Sequence, residues 1–286
     1  MLVIPLLPLA AAGFSLRFGK WHFYLRRLGC SLSVRESFVC HTIGFALSIT
    51  PGRVGELAKC WLVRQATGIP ASRSTPIVFL ERLTEAVGLL ALAVWAGLAW
   101  GESALNIGGG RWLALGLFLA LAAGVPFKQT LGEWAVRAIA SIEEGRPRSR
   151  WLLPMAGILR HLTEGARDLI DHRTLLGGVG LTLAARSLDG INLYLLVSAL
   201  GGELSLSQAL FAIAASSFLG GASLLPMGIG VVEVALIGVL LAAGVPAAIA
   251  APAALLSRWL TVWTWVLVGL WLLGLRRERI FTPGIP

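Results

Sequence analysis

The chain has 286 residues, is 56% hydrophobic and 14% charged, and carries a formal net charge of +9; its mean hydropathy is +0.79. Soluble domains carry about 25% charged residues, so the composition excludes an ordinary soluble domain and points to an integral membrane protein. The positive excess fits Lys and Arg gathered on cytoplasmic loops; with no nucleic-acid-binding motif present, no nucleic-acid partner is expected.

Residues 2–19 read as a first spanning helix. Its apolar run lacks a preceding basic region, and Arg17, Lys20, Arg26 and Arg27 follow it. That favours a retained helix with its N-terminus outside over a cleaved signal peptide. Residues 36–49 and 53–66 are two short helical pieces separated by Thr50-Pro51-Gly52. Residues 75–100 span, and 111–127 span back. The polar stretch 128–173 is too short for a catalytic domain of its own. Its Ile158, Leu159, Leu162, Leu169 and Ile170 share a helical face, as in an amphipathic helix on the inner leaflet or a hairpin packed on the bundle. Residues 174–200 span, 208–224 and 229–243 are again short pieces split at Pro226-Met227-Gly228, and 250–275 span last.

Charge tests this topology. If each broken pair enters and leaves on one side, residues 20–35, 64–74, 128–173 and 276–286 share a basic face, while 101–110, 201–207 and 244–249 hold no Lys or Arg. The basic face is then cytoplasmic, the C-terminus with it, and the broken pairs are re-entrant.

The sequence also repeats. GIPASRSTPIVFLERL (68–83) aligns without gaps to GVPAAIAAPAALLSRW (244–259), matching Gly68 to Gly244, Pro70 to Pro246, Pro76 to Pro252 and Arg82 to Arg258. PGRVGE (51–56) resembles PMGIGVVE (226–233), Trp95 matches Trp271, and Ser31-Leu32-Ser33 echoes Ser205-Leu206-Ser207. One odd crossing between two copies inverts the second. The expected fold is therefore an all-α integral membrane domain over 1–286. It holds a first repeat (2–100) of helix, re-entrant broken helix pair and helix, a connecting transmembrane helix with a cytoplasmic amphipathic segment (101–173), and a second, inverted repeat (174–275). Transporters of this architecture bind substrate near the midplane between the repeats.

Helix breaks and buried charges mark the candidate site. Pro51, Gly52 and Gly55 form the first break, and Pro226, Gly228 and Gly230 the second. A half-helix N-terminus deep in a membrane favours an anion, and Arg53 adds a full charge at the first break. Charges inside membrane helices are costly and face a bundle interior or wet cavity. Glu56 and Lys59 follow Arg53 at helical spacing; Glu81, Arg82 and Glu85 open the next helix; Arg186, Asp189 and Asn192 step by three; Glu233 and Arg258 are the second-repeat counterparts of Glu56 and Arg82. Cys30, Cys40 and Cys60, with His22, His41, His161 and His172, give no disulfide framework or metal-ligand spacing. No phosphate-binding loop or nucleophile motif occurs. No metal or cofactor is expected.

P-G-x-x-G-E followed by basic residues, G-[IV]-P, L-x-R opening an apolar helix, and the later LLPMGIGVVEVAL before GVP together resemble the lysylphosphatidylglycerol synthase transmembrane domain family of flippase-like proteins. The resemblance implies a polytopic protein of a prokaryotic inner (cytoplasmic) membrane that moves a lipid or lipid-linked group between leaflets. It marks Pro51, Gly52, Gly55, Glu56, Lys59, Glu81, Arg82, Gly230, Glu233 and Arg258 as motif positions. Bifunctional relatives carry a soluble aminoacyl-transferase domain after the membrane part, whereas eleven residues follow the last helix here, so synthase activity is not expected. Relatives often begin with one more helix, so a further upstream helix is an expectation.

The functional expectation is a non-enzymatic, flippase-like transporter of an anionic phospholipid or lipid-linked head group. The head group would sit near Arg53, with Lys59, Arg82 and Arg186 completing the cavity, Glu56, Glu85 and Asp189 holding those cations or relaying protons, and Glu233 and Arg258 counted among the substrate-binding residues. The alternatives are a non-catalytic scaffold for an envelope lipid or glycan synthesis enzyme, and a membrane-embedded head-group transferase with Glu56 or Glu85 as general base.

Overall fold

A computed structural model describes residues 6–50, 55–101, 171–223 and 225–281, with side chains to residue 275. The expected helix 111–127, almost all of the polar stretch 128–173, and Pro51, Gly52 and Arg53 lie outside the described residues. Every regular element among the described residues is helical.

The first helix, α1 (Leu7–Arg27), begins with Pro in its first turn, where the missing N–H costs nothing. It runs eight residues past the expected end at 19, because Trp21, Tyr24 and Leu25 continue a fully buried face. Gly29 N and Cys30 N then bond back to the carbonyls of Arg26 and Leu25, a Schellman closure. Ser33 caps α2 (Val34–Leu47), accepting from Glu36 N at 3.2 Å and donating to Glu36 Oε2 at 2.8 Å.

The chain then folds back tightly. Thr50 Oγ1 donates to the Leu47 carbonyl at 3.1 Å and accepts from Gly55 N at 2.7 Å. A Cβ on Gly55 would collide with that carbonyl, so the last glycine of P-G-x-x-G is a steric requirement. Residues 55–57 form a 3-10 turn, and α3 (Ala58–Thr67) follows. The second half helix thus starts five residues later than expected, after the 3-10 turn at 55–57.

Gly68 (φ 72) ends α3, and Pro70 opens α4 (Ala71–Trp100). Asp171 caps α5 (His172–Ala199), accepting from Arg173 N and Thr174 N. These backbone donors, Arg173 N foremost, hold its carboxyl below the ordinary value. Leu200, Gly201 and Gly202 repeat the closure of Leu28, Gly29 and Cys30, through Gly201 N to Ser198 O and Gly202 N to Val197 O. Ser205, with Gln208 at the third helical position, makes a capping box for α6 (Leu206–Ala222).

The second break is a 3-10 turn at Pro226–Gly228, in which Met227 is left-handed (φ 49). Then come α7 (Val231–Ala242), Gly244 (φ 88), Pro246 and α8 (Ala247–Arg258). A π turn at Trp259–Trp263 leads into α9 (Thr264–Phe281). Thr264 Oγ1 reaches back five residues to the Trp259 carbonyl at 2.9 Å, which stabilises the wide turn inside what the sequence suggests is one regular helix. The run Ala247–Leu275 is long and apolar enough to cross a membrane.

The α1 and α5 helices pack together at the centre, with α4 along α6 and α9 along α2. Buried alanines, among them Ala209, Ala212, Ala250 and Ala253, bring α5 to α8 together. Trp21, Tyr24, Val63 and Ile77 fill the core between α1, α3 and α4.

Candidate functional site

Charged side chains gather where α1, α4 and α5 meet the turn before α3. On α4, Glu81 and Glu85 lie one turn apart with Arg82 beside them. Arg82 Nη1 is 2.7 Å from Glu85 Oε2, and its Nε is 3.2 Å from Glu56 Oε2. The second contact is an ion pair without hydrogen-bond alignment. Glu85 also pairs with Arg186 of α5, and Arg186 Nη1 reaches Asp189 Oδ2 at 3.3 Å. Asp189 in turn holds Arg17 of α1. Charge therefore alternates along Arg17, Asp189, Arg186, Glu85, Arg82 and Glu56, giving each ion an opposite neighbour.

A second branch lies deeper. Lys59 Nζ is 3.1 Å from Glu81 Oε2 and 5.1 Å from the Trp21 ring centroid. Lys20 Nζ donates to Thr182 Oγ1 at 3.0 Å and to the Glu81 carbonyl at 3.4 Å. Both lysines are buried. Removing one partner of such a pair strands a charge, at a cost of about 3–5 kcal/mol.

A cavity of about 510 Å³ opens against the first branch, within the roughly 300–1,000 Å³ of small-molecule sites. Glu56, Arg82, Glu85 and Arg186 form its charged wall. Its apolar wall comes from Leu57, from Val78, Phe79, Ala86 and Leu89 of α4, and from Phe218, Gly221 and Ala222 of α6, with Ser217 beside them. The Arg82 side chain is 38% exposed against 6% for Glu56, so Arg82 presents its guanidinium to the cavity.

The second break is built differently. Glu233 Oε2 accepts from Gly230 N at 2.7 Å, covering the α7 N-terminus with a carboxylate, as the helix dipole favours. Its Oε1 accepts from Arg258 Nε at 2.9 Å, and Arg258 Nη2 donates to the Met227 carbonyl at 3.0 Å. Glu233 and Arg258 thereby clamp the turn.

Of the residues expected from sequence, Glu56, Lys59, Arg82, Glu85, Arg186 and Asp189 come together in one network. Lys59 lies behind Trp21, away from the cavity wall. Glu233 and Arg258 form a separate pair, and Asn192 bonds the Leu6 carbonyl at 3.0 Å. Gly55, Pro226, Gly228 and Gly230 shape the turns. Sequence reasoning missed Arg17 and Lys20, counting Lys20 with a surface loop; it sits inside α1, buried. The signal was present: Gly13, Arg17, Lys20 and Tyr24 recur at 4, 3 and 4 residues, one face of a helix.

A family model described as lysylphosphatidylglycerol synthase TM region matches residues 1–269. With the apolar run Ala247–Leu275, that match supports a membrane protein tied to lipid metabolism or transport. No curated protein and no solved structure matches the chain.

Proposed function

The chain belongs to the lysylphosphatidylglycerol synthase TM region family, and from that premise we propose that it moves an anionic phospholipid or lipid-linked head group between membrane leaflets. The observation that carries this reading is the cavity itself. Two arginines and two glutamates form one wall and apolar side chains the other, suiting a molecule with a charged head and an oily body. Arg82, the more open arginine, and Arg186 are the head-group ligands; Glu56 and Glu85 aim them. Each of the network's carboxylates is engaged by a cation, an arrangement for holding charge and not for general-base chemistry, so the reading is transport without a chemical step.

The reading includes an inverted repeat, and several correspondences between the halves support it. The α1 and α5 helices end in the same closure, α2 and α6 begin on Ser33 and Ser205 caps, and α4 and α8 each follow a positive-φ glycine and a proline. The caps align Ser33 with Ser205, two residues off the echo seen in sequence. Glu56 pairs with Arg82 as Glu233 pairs with Arg258. The packing of α4 on α6 and of α9 on α2 exchanges under the same correspondence. In this reading the broken pairs are re-entrant. The protein lies in the cytoplasmic membrane of a prokaryote, N-terminus outside and C-terminus inside.

The test is a leaflet-resolved assay of fluorescent phosphatidylglycerol in proteoliposomes. The wild type accelerates translocation over protein-free vesicles, and an Arg82→Gln, Arg186→Gln double variant loses about tenfold or more, the equivalent of 1.4 kcal/mol. Equal rates for the two proteins would sink the proposal.

A further inference from the structure

Lys20 stands apart from the other cations of the network. Arg17, Arg186, Arg82 and Lys59 each touch a carboxylate: Asp189, Glu85, Glu56 and Glu81 respectively. Lys20 touches an alcohol and a backbone carbonyl instead. Thr182 spends its own proton on the Gly178 carbonyl at 2.9 Å, so it offers Lys20 an acceptor. Two acceptors match the two N–H bonds of a neutral amine. An ammonium brings a third donor, and no third acceptor is within reach among the described residues.

The charged groups around Lys20 are Glu81, Glu85 and Arg82 from α4 and Arg186 from α5. Lys59 of α3 shares Glu81, and His41 of α2 lies beside them. Arg17 precedes it by one turn on α1. With Lys20 neutral, the four ion pairs named above balance. An anionic head group arriving between Arg82 and Arg186 adds one negative charge to a buried site, and a proton on Lys20 restores the balance.

We propose that Lys20 is the proton-binding group of this site: it is a neutral amine when the cavity is empty and takes a proton from water when an anionic head group docks, so that head group and proton travel together. This rests on the head-group reading above. The proton adds to the amine lone pair, no other bond changes, and release of the lipid returns it to water. Affinity for an anionic lipid is therefore highest at low pH. It falls by up to about tenfold per pH unit as Lys20 loses its proton. Lys20→Arg holds the charge in place and removes that dependence. Lys20→Met removes it too, and weakens binding.

The experiment is calorimetric titration, at about pH 9, of the detergent-solubilised full chain with dihexanoyl phosphatidylglycerol in two buffers of different ionisation enthalpy. Expected are uptake of about one proton per lipid bound by the wild type, and none for Lys20→Arg with binding retained. Wild-type binding whose heat is independent of the buffer overturns the proposal, even if the variants fail to fold. Undiminished uptake by Lys20→Arg overturns it as well. No binding in either buffer overturns the head-group reading, and this inference with it.

Discussion

The two chain breaks carry the same pair of ions in different settings. At the first, Glu56 and Arg82 belong to a network reaching three helices, and Arg82 faces a cavity. At the second, Glu233 and Arg258 close on each other, on the Gly230 N–H and on the Met227 carbonyl. The difference teaches that one motif can serve two ends. Where the carboxylate satisfies the local backbone, the pair is a clamp. Where it leaves the backbone to other groups, here Thr50 bonding Gly55 N, the pair is free to present charge.

The sharpest break of this comparison is transport itself. Arg82→Gln should slow phosphatidylglycerol translocation by about tenfold or more, and Arg258→Gln should leave it within a factor of about two at matched folded protein. Equal losses would make the two pairs functional equals. Stability comes next. Glu81→Ala strands Lys59 and should cost about 3–5 kcal/mol in a detergent unfolding titration. Glu233→Ala, where Arg258 keeps the Met227 carbonyl and the α7 cap is lost, should cost about 1–3 kcal/mol.

The break glycines separate in the same way. Gly55→Ala drives a Cβ into the Leu47 carbonyl and should cost about 3 kcal/mol. Gly230, at φ 83 in open space, should cost about 1–2 kcal/mol as alanine, read by the same titration. The caps should not distinguish the halves: Ser33→Ala and Ser205→Ala should each lose about 1 kcal/mol. The smallest effect is on acidification. With the Asp171 carboxyl held below its ordinary value by backbone donors, its cap is intact above the carboxylate range. It is lost as pH falls through that lowered value. Asp171→Ala should flatten this acid limb of the unfolding midpoint against pH, most visibly below about pH 4.

Much of this was legible in the sequence where spacing carried it. Matched motifs mark Glu233 and Arg258 as counterparts of Glu56 and Arg82; that each glutamate pairs with its own arginine is a contact only the fold reveals. The break at Pro226 followed from proline and glycine chemistry, whereas α4 starts at Ala71, ahead of the expected 75, because Pro70 caps it. The late start of α3 was not legible either, because the bond from Gly55 N to Thr50 Oγ1 is a tertiary choice that propensity cannot see. Arg17 and Lys20 were hidden by position: a cation after an apolar run looks like a membrane flank until its partners, 172 and 162 residues away, are in place. The π turn goes with one threonine reaching back one residue farther than an α-helix would have it, with no sequence pattern to announce it.

Arg17 and Asp189 have a consequence for how such a chain can arise. They stand 172 residues apart, the same step that separates Gly29 from Gly201 and Ser33 from Ser205, so under the proposed repeat they are one position in its two copies and meet each other across the centre. Two identical halves would set arginine against arginine or aspartate against aspartate there. Each half therefore needs a gene segment free to diverge from the other, and neither can be swapped for a second copy of its sibling without also restoring the opposite charge.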